Sequence, residues 1–462
     1  MTTLQRYAAV GGPALAAVVF FLTARAGLDF AISATAAITV WTALWWVFEP
    51  VPIPAASLLP IALFQVLGIL TPTQVGAAYG SPLILLLLGG FMLSQAMQRS
   101  GVHRRLALMM LRAFGGGGRS LVFGFMVSAA ALSMWISNTA TALMLLPIAL
   151  AALQGIDNRR LQVAVLLGLA YACSIGSIGT PVGTPPNLVF MQVYAQTTGN
   201  EITFSSFMAR GVPVVLIMVP LAGWLLTRGL GHVPTPPVER PGRWRRAEVR
   251  TLIVFGLTAL LWITRKEPFG GWSAWLKLPA ANDASVALLA VVVTFLVPSG
   301  DKPGERLMDW ETAAGIPWGI LLLFGSGICI AQAFSTSGLS ELIGATVANA
   351  IVTWPLIVTI AVLCITVTFL TEITSNTATV TLLMPILAAA AASAGVDPRT
   401  IMLPAAMSAS CAFMLPVATG PNAVVFSSGR LRIADMARAG ISINVVGVLV
   451  ITALNYLYAG WA

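Results

Sequence analysis

Ser137-Asn138-Thr139-Ala140-Thr141 and Ser375-Asn376-Thr377-Ala378-Thr379 are one pentapeptide carried twice, each copy inside a long apolar stretch of the same chain. About 45 to 50 residues after each comes a segment broken by Pro and Gly and ending in Pro-Asn. The first is Pro181-Val182-Gly183-Thr184-Pro185-Pro186-Asn187 and the second Pro416-Val417-Ala418-Thr419-Gly420-Pro421-Asn422. A polar pentapeptide duplicated at membrane depth has few uses, and the foremost is a binding site built where two repeats meet. The likeness extends outward. Leu86 to Gly101 matches Leu322 to Gly338, Pro147 matches Pro385, and Gly155-Ile156-Asp157 matches Gly395-Val396-Asp397, always at an offset of 235 to 240 residues.

The surrounding composition is that of a polytopic membrane protein. The chain of 462 residues is 58% hydrophobic and 9% charged, with a mean hydropathy of +0.89, whereas a soluble globular chain is about 25% charged. Apolar runs follow one another from Ala8 to Leu457 and leave no room for a soluble domain. The first run, Ala8 to Ala24, is read as a retained helix because it lacks a clear cleavage site and further spans follow directly. A net charge of +9 would suggest nucleic acid in a soluble protein; here the basic residues sort the loops by membrane side, and no nucleic-acid partner is expected. Four Cys in apolar context and two His, His103 and His232, give no zinc or disulfide pattern.

Candidate segments fall near 8–25, 31–48, 54–70, 82–98, 121–154, 161–197, 211–229, 249–264, 283–298, 316–334, 354–392, 400–428 and 440–459. The segments 121–154 and 354–392 are too long for one crossing and carry the pentapeptide mid-way; they read as re-entrant hairpins that turn at Ser-Asn-Thr. The segments 161–197 and 400–428 read as helices broken at their Pro/Gly stretch. The other nine and these two give about eleven crossings. With the N-terminus in the cytoplasm, the inside loops hold 19 of the 25 basic residues and the outside only Arg25, Arg210, Arg265, Lys266, Lys277 and Arg399. The C-terminus then lies outside. Counting the hairpins as full crossings spoils this bias. The first half is 1–232, the linker 233–248 and the second half 249–462. The short basic stretch from Val102 to Phe114 predicts an interfacial helix, with His103 on its surface. Trp41, Trp45 and Trp46 are expected at a membrane interface or a dimer contact.

Five crossings separate the hairpins. Five is odd, so the second repeat is inverted: one hairpin enters from inside, the other from outside, with tips meeting near the midplane. Inverted repeats with broken helices mark secondary transporters. Irregular backbone at that depth survives only where protein or water satisfies it. The free N–H groups of half-helix starts suit an anion and free carbonyls suit a small cation such as Na⁺, while Ser, Thr and Asn serve either. This predicts two related cation sites flanking one anion site. Neither pentapeptide contains a charged residue, so a bound dianion needs co-bound cations, which argues for cation coupling. Glu372 stands beside the second motif, either as a functional intramembrane carboxylate or as a structural hydrogen-bond acceptor inside the second hairpin.

Paired Ser-Asn-Thr hairpins, each followed by a Gly-Thr-Pro-Pro-Asn-like break, resemble the divalent anion/sodium symporter family of INDY-type dicarboxylate and citrate transporters, over nearly the whole chain. The resemblance implies an all-α inverted-repeat elevator transporter of the inner (cytoplasmic) membrane. It also implies a scaffold and a transport domain each built from both halves, and a homodimer joined through the scaffolds. It implies substrate contacts from Ser137, Asn138, Thr139, Thr184, Ser375, Asn376, Thr377 and Thr419. It implies a first Na⁺ site at Ser133, Ser137, Asn138 and Gly183 and a second at Thr371, Ser375, Asn376 and Ala418. The expected activity is Na⁺-coupled symport of a C4-dicarboxylate (succinate, malate or fumarate). The alternatives are a Na⁺-independent exchanger, or a Na⁺-coupled carrier of sulfate or a tricarboxylate. The second break departs from the family's usual Thr-Pro-Pro-Asn by carrying Gly420, which bears on the size of the anion. An enzyme is not expected: an intramembrane hydrolase needs a Ser-His, paired-Asp or HExxH arrangement, and the apolar segments hold no such set. A channel is disfavoured by the lack of a charged ring.

Overall fold

The computed structural model describes residues 3–114, 116–231, 233–234, 240–267, 269–344 and 353–459. Among these residues the chain is helical and forms no strand, only an isolated bridge between Pro298 and Arg306. Eight helices are long and apolar enough to cross a membrane. Seven of these belong to expected crossings, and Asn376–Ser393 is a hairpin arm. The other expected crossings are shorter or broken, except Arg246–Ile263, which has 18 residues but carries Arg246, Glu248 and Arg250 at its start. The expected segment 54–70 is one of them: it splits at Ser57 into Ile53–Ala56 and Leu58–Val66. Pro52, Pro54 and Pro60 withhold backbone donors there. A separate helix, Pro72–Tyr79, then starts at Thr71, whose side chain and that of Gln74 close a capping box.

Both long segments bearing the motif fold as hairpins. Gly118–Ser133 leads to the first copy of the pentapeptide and Asn138–Ala152 leads away from it; Leu356–Leu370 and Asn376–Ser393 repeat the pattern. Both broken segments are broken where the sequence places the Pro and Gly. Arg159–Gly176 passes through two 3₁₀ turns before Pro185–Thr198, and Arg399–Ser408 passes through an irregular loop before Gly420–Phe426. The sequence match Ser100-Gly101 to Ser337-Gly338 also has a structural reason. Both glycines end a helix in the left-handed conformation (φ 77° and 84°), which costs a residue without Cβ least.

The helices pack into two groups, each drawn from both halves of the chain. One holds both hairpins, both broken helices, Phe204–Thr227 and Ile433–Ala459; the other holds the helices of 3–100 and 246–337. Within the first group the halves interlock. Pro185–Thr198 packs on Asn376–Ser393, while Gly420–Phe426 packs on Asn138–Ala152, so each break's second half-helix lies on the other half's hairpin. Close approach is bought with small residues: a Cβ on Gly176 would lie 2.3 Å from the Ala130 carbonyl oxygen. The groups also meet through ions. Glu201 accepts from Lys266 Nζ (2.6 Å) and from Arg265, which in turn holds Asp283 (2.6 Å). Burial alone would raise the Glu201 carboxyl, but the Lys266 hydrogen bond and the Arg265 charge hold it below the usual carboxylate range.

Val102–Ala113 is the helix expected after the first Ser-Gly stop. Its Arg105 is buried in a 2.8 Å pair with Glu248 and donates to the carbonyls of Gly242 and Arg243, tying the end of the linker down. His232 and residues 235–239 of the linker region lie outside the described residues. His103 is half-buried, not a surface residue. Burial pushes its imidazole below the ordinary range, and Nδ1–H donates to the Met97 carbonyl at 2.8 Å. Trp46 is likewise a core residue, fully buried with Nε1 donating to Ser57 Oγ at 3.0 Å, while Trp45 packs on the first helix and donates to the Ala8 carbonyl.

Candidate functional site

Two hairpin tips and two breaks surround one cavity of about 440 Å³. Ser137, Asn138 and Thr139 of the first tip face it, with Ser375, Asn376 and Thr377 of the second, Gly183 and Thr184 of the first break and Ala418 and Thr419 of the second. Segments more than 230 residues apart in sequence are thus brought to one place. Glu49, Ile53, Phe91, Pro317 and Ile320, from the other helix group, complete the wall. A second cavity, of about 460 Å³ around Gln332, contains none of the motif residues and lies between the groups.

The electrostatics follow from what the wall contains. Ser137, Thr184, Ser375 and Thr419 are the N-caps of Asn138–Ala152, Pro185–Thr198, Asn376–Ser393 and Gly420–Phe426. Helix starts, with their partial positive charge, therefore converge on the cavity, although Pro185, Pro186 and Pro421 carry no N–H and the Ser375 and Thr419 hydroxyls already accept those of Ala378 and Asn422. Among the described residues no Lys or Arg lines it, and Glu49 is its one charged residue. Oxygen acceptors stand beside the donors. Asn138 Oδ1 takes the Thr139 N–H at 3.0 Å, whereas Asn376 Oδ1 is buried with no partner among the described residues. A buried acceptor without a donor is costly unless a ligand meets it.

Ser133 and Thr371 do not reach the cavity wall. Both are fully buried behind the tips. Ser133 Oγ donates to the Cys173 carbonyl at 2.6 Å, and Thr371 Oγ1 to the carbonyls of Val367 and Thr368 at 3.0 and 3.1 Å. With the proton spent on a carbonyl, each hydroxyl keeps lone pairs that suit a cation and not an anion.

Sequence reasoning missed how the breaks are held. Asn187 Nδ2 donates to the carbonyls of Ser177 and Thr180, and Asn422 Nδ2 to those of Ala412 and Leu415, so the repeated Pro-Asn residues pin their own loops. Their duplication was the available signal. Glu372 does not bond within its hairpin. Its carboxylate takes the N–H groups of Phe413, Met414 and Leu415 at 2.7 to 3.1 Å and Asn444 Nδ2 at 2.8 Å, so it anchors the second break and the last helix. The first hairpin has Met134 at the matching position and no such anchor.

Gly420 does not leave a hole. A Cβ there would lie 2.0 Å from Thr139 Oγ1 and 3.0 Å from its Cβ, so the first tip occupies the space a proline ring would take. Gly420→Ala should therefore displace Thr139 and raise the KM for substrate about tenfold, roughly the loss of one hydrogen bond to a charged group. Adding Thr139→Ala should restore much of the affinity. An unchanged KM in Gly420→Ala would show that Thr139 does not shape the pocket.

A profile described as citrate transporter (CitMHS) matches residues 43–401. The sodium-dependent dicarboxylate transporter SdcS of Staphylococcus saprophyticus is 38% identical over 91% of this chain and 85% of its own length. The SdcS of Staphylococcus aureus strain NCTC 8325 is 37% identical over 91% and 84%. Among solved structures, the YdaH transporter of Alcanivorax borkumensis aligns with a TM-score of 0.63 at 15% identity, covering 92% of this chain and 98% of that one. MtrF of Neisseria gonorrhoeae aligns with a TM-score of 0.55 at 14% identity, covering 86% and 83%. These two share the fold alone. Relatives and fold neighbours alike are membrane transporters and not enzymes, and the chain belongs to the citrate transporter family, in the branch of divalent anion/sodium symporters that its paired motifs resemble.

Proposed function

We propose that the protein is a secondary active transporter that carries a C4-dicarboxylate together with Na⁺. The observation that carries this reading is the cavity wall: converging helix starts and neutral oxygen and amide groups, with no Lys or Arg among the described residues to balance a dianion. Helix starts supply only partial charge, so co-bound cations complete the compensation. The similarity to sodium-dependent dicarboxylate transporters supports the same ion and substrate class.

Ser137, Asn138 and Gly183 with Ser133 hold one Na⁺, and Ser375, Asn376 and Ala418 with Thr371 hold the other. Ser137, Asn138, Thr139, Thr184, Ser375, Asn376, Thr377 and Thr419 meet the substrate between them. The spent protons of Ser133 and Thr371 and the unpartnered Asn376 Oδ1 favour the cation role. The hairpin-bearing group is the transport domain and moves elevator-fashion against the other group, which is the scaffold and the homodimer contact. Interlocked halves and the odd number of crossings between hairpins support an inverted repeat. The basic loops support an N-terminus in the cytoplasm and a C-terminus outside.

Uptake of labelled succinate into proteoliposomes tests the reading. An inward Na⁺ gradient should drive accumulation several-fold above that in choline. Equal accumulation in choline would make the protein a Na⁺-independent exchanger. The citrate description of the family profile makes a tricarboxylate the second reading; competition by citrate and sulfate, weaker than by malate and fumarate, should exclude both.

A further inference from the structure

Away from the cavity, four helix ends of the hairpin-bearing group meet: the starts of Phe204–Thr227 and Arg399–Ser408 and the ends of Pro185–Thr198 and Ile433–Ala459. Arg210, Asp397, Arg399, Thr400, Asn455 and Tyr458 line a pocket of about 20 Å³ there, and none of them lines the substrate cavity. Arg399 Nη2 donates to Tyr194 Oη at 2.8 Å, with the guanidinium 5.0 Å from that ring's centroid. Its Nε, however, is buried and has no acceptor among the described residues. Arg210 is half-buried, 5.8 Å from the Tyr458 ring, and makes no hydrogen bond or ion pair among the described residues. Among the described residues Asp397, itself exposed, is the pocket's one carboxylate. It accepts the backbone N–H of Arg399 at 2.8 Å and forms no ion pair with either guanidinium.

Two guanidiniums sharing a small pocket repel each other, and a buried charged N–H without an acceptor is costly. A water would satisfy Nε and leave the repulsion; an anion offsets both. The volume admits one water-sized body, which fits a monoatomic halide or a single carboxylate oxygen. We propose that Arg210 and Arg399 form an accessory anion site on the hairpin-bearing group, separate from the transport cavity. The carboxylate as its source rests on the proposed dicarboxylate function; the halide does not.

Thermal unfolding of the purified full chain tests this at constant Na⁺ and ionic strength, with sodium bromide replacing the bulky sulfonate sodium MES. Bromide should raise the midpoint saturably, and Arg399→Gln and Arg210→Gln should each weaken half-saturation about tenfold. Crystals grown in bromide should show an anomalous peak between the two arginines. The second arm titrates succinate into the Asn138→Ala/Asn376→Ala protein, whose central cavity is disabled. A rise there that Arg399→Gln removes identifies a carboxylate as the occupant. Arg210→Gln, which breaks no hydrogen bond, carries the test if Arg399→Gln fails to fold. The site is refuted if neither anion shifts the midpoint, or if the shifts survive both substitutions. Loss of succinate uptake in the wild type with the bromide response intact would refute the transport reading alone.

Discussion

Asn138→Ala and Asn376→Ala are each expected to abolish Na⁺-driven uptake while leaving expression and thermal stability unchanged. The two side chains sit at the first residue of Asn138–Ala152 and of Asn376–Ser393, where helix starts meet the cavity. Among the described residues neither amide ties its tip to another element: Asn138 bonds to the adjacent Thr139 N–H, and Asn376 Oδ1 has no partner. Truncation therefore removes ligand groups at little cost to the fold. One lost hydrogen bond to a charged partner costs about 1.5 to 3 kcal/mol, roughly ten- to hundred-fold. In the proposed function each tip meets both the anion and a cation, so the losses should compound and uptake should drop below detection. Near-normal transport in either variant would remove the site assignment.

Glu372→Gln should cost both stability and transport. The carboxylate gathers three backbone N–H groups and the Asn444 amide in a buried setting. Glutamine turns one acceptor oxygen into a donor facing other donors. At about 1.5 to 3 kcal/mol for each hydrogen bond to a charged group, even partial loss is large against the marginal stability of a fold. The thermal midpoint should fall by several degrees, and backbone amides of 411–419 should exchange faster while those of 177–184 stay protected. The contrast between the two breaks separates this anchor from a general loss of structure, because the first break is held by Asn187 and by Thr180 donating to the Met134 carbonyl. Wild-type exchange across 411–419 would contradict it.

What the sequence displays and what it hides have physical causes. The hairpins and breaks were legible because a polar pentapeptide or a Pro/Gly run interrupts an apolar stretch locally, and the duplication tells signal from chance. Gly101 and Gly338 showed in the sequence only as a matched Ser-Gly pair; their left-handed caps did not. Other features depend on partners distant in sequence. Glu372 meets residues about 41 positions away, Asn187 and Asn422 fold back on their own loops, and Trp46 is buried by contacts that hydropathy does not encode. The shift of Ser133 and Thr371 behind the tips likewise comes from the packing of hairpin on broken helix. The sequence left open how Gly420 bears on the size of the anion; the space beside it is taken by Thr139, from a tip more than 280 residues earlier.

The central claim is that neutral groups of the two tips hold a dianion together with Na⁺. A density map of the protein in Na⁺ and saturating succinate tests it most directly. Succinate density is expected between Asn138 and Asn376, with ion density behind each tip, and the succinate density should vanish when choline replaces Na⁺. Succinate density elsewhere, or density between the tips that persists without Na⁺, would contradict it.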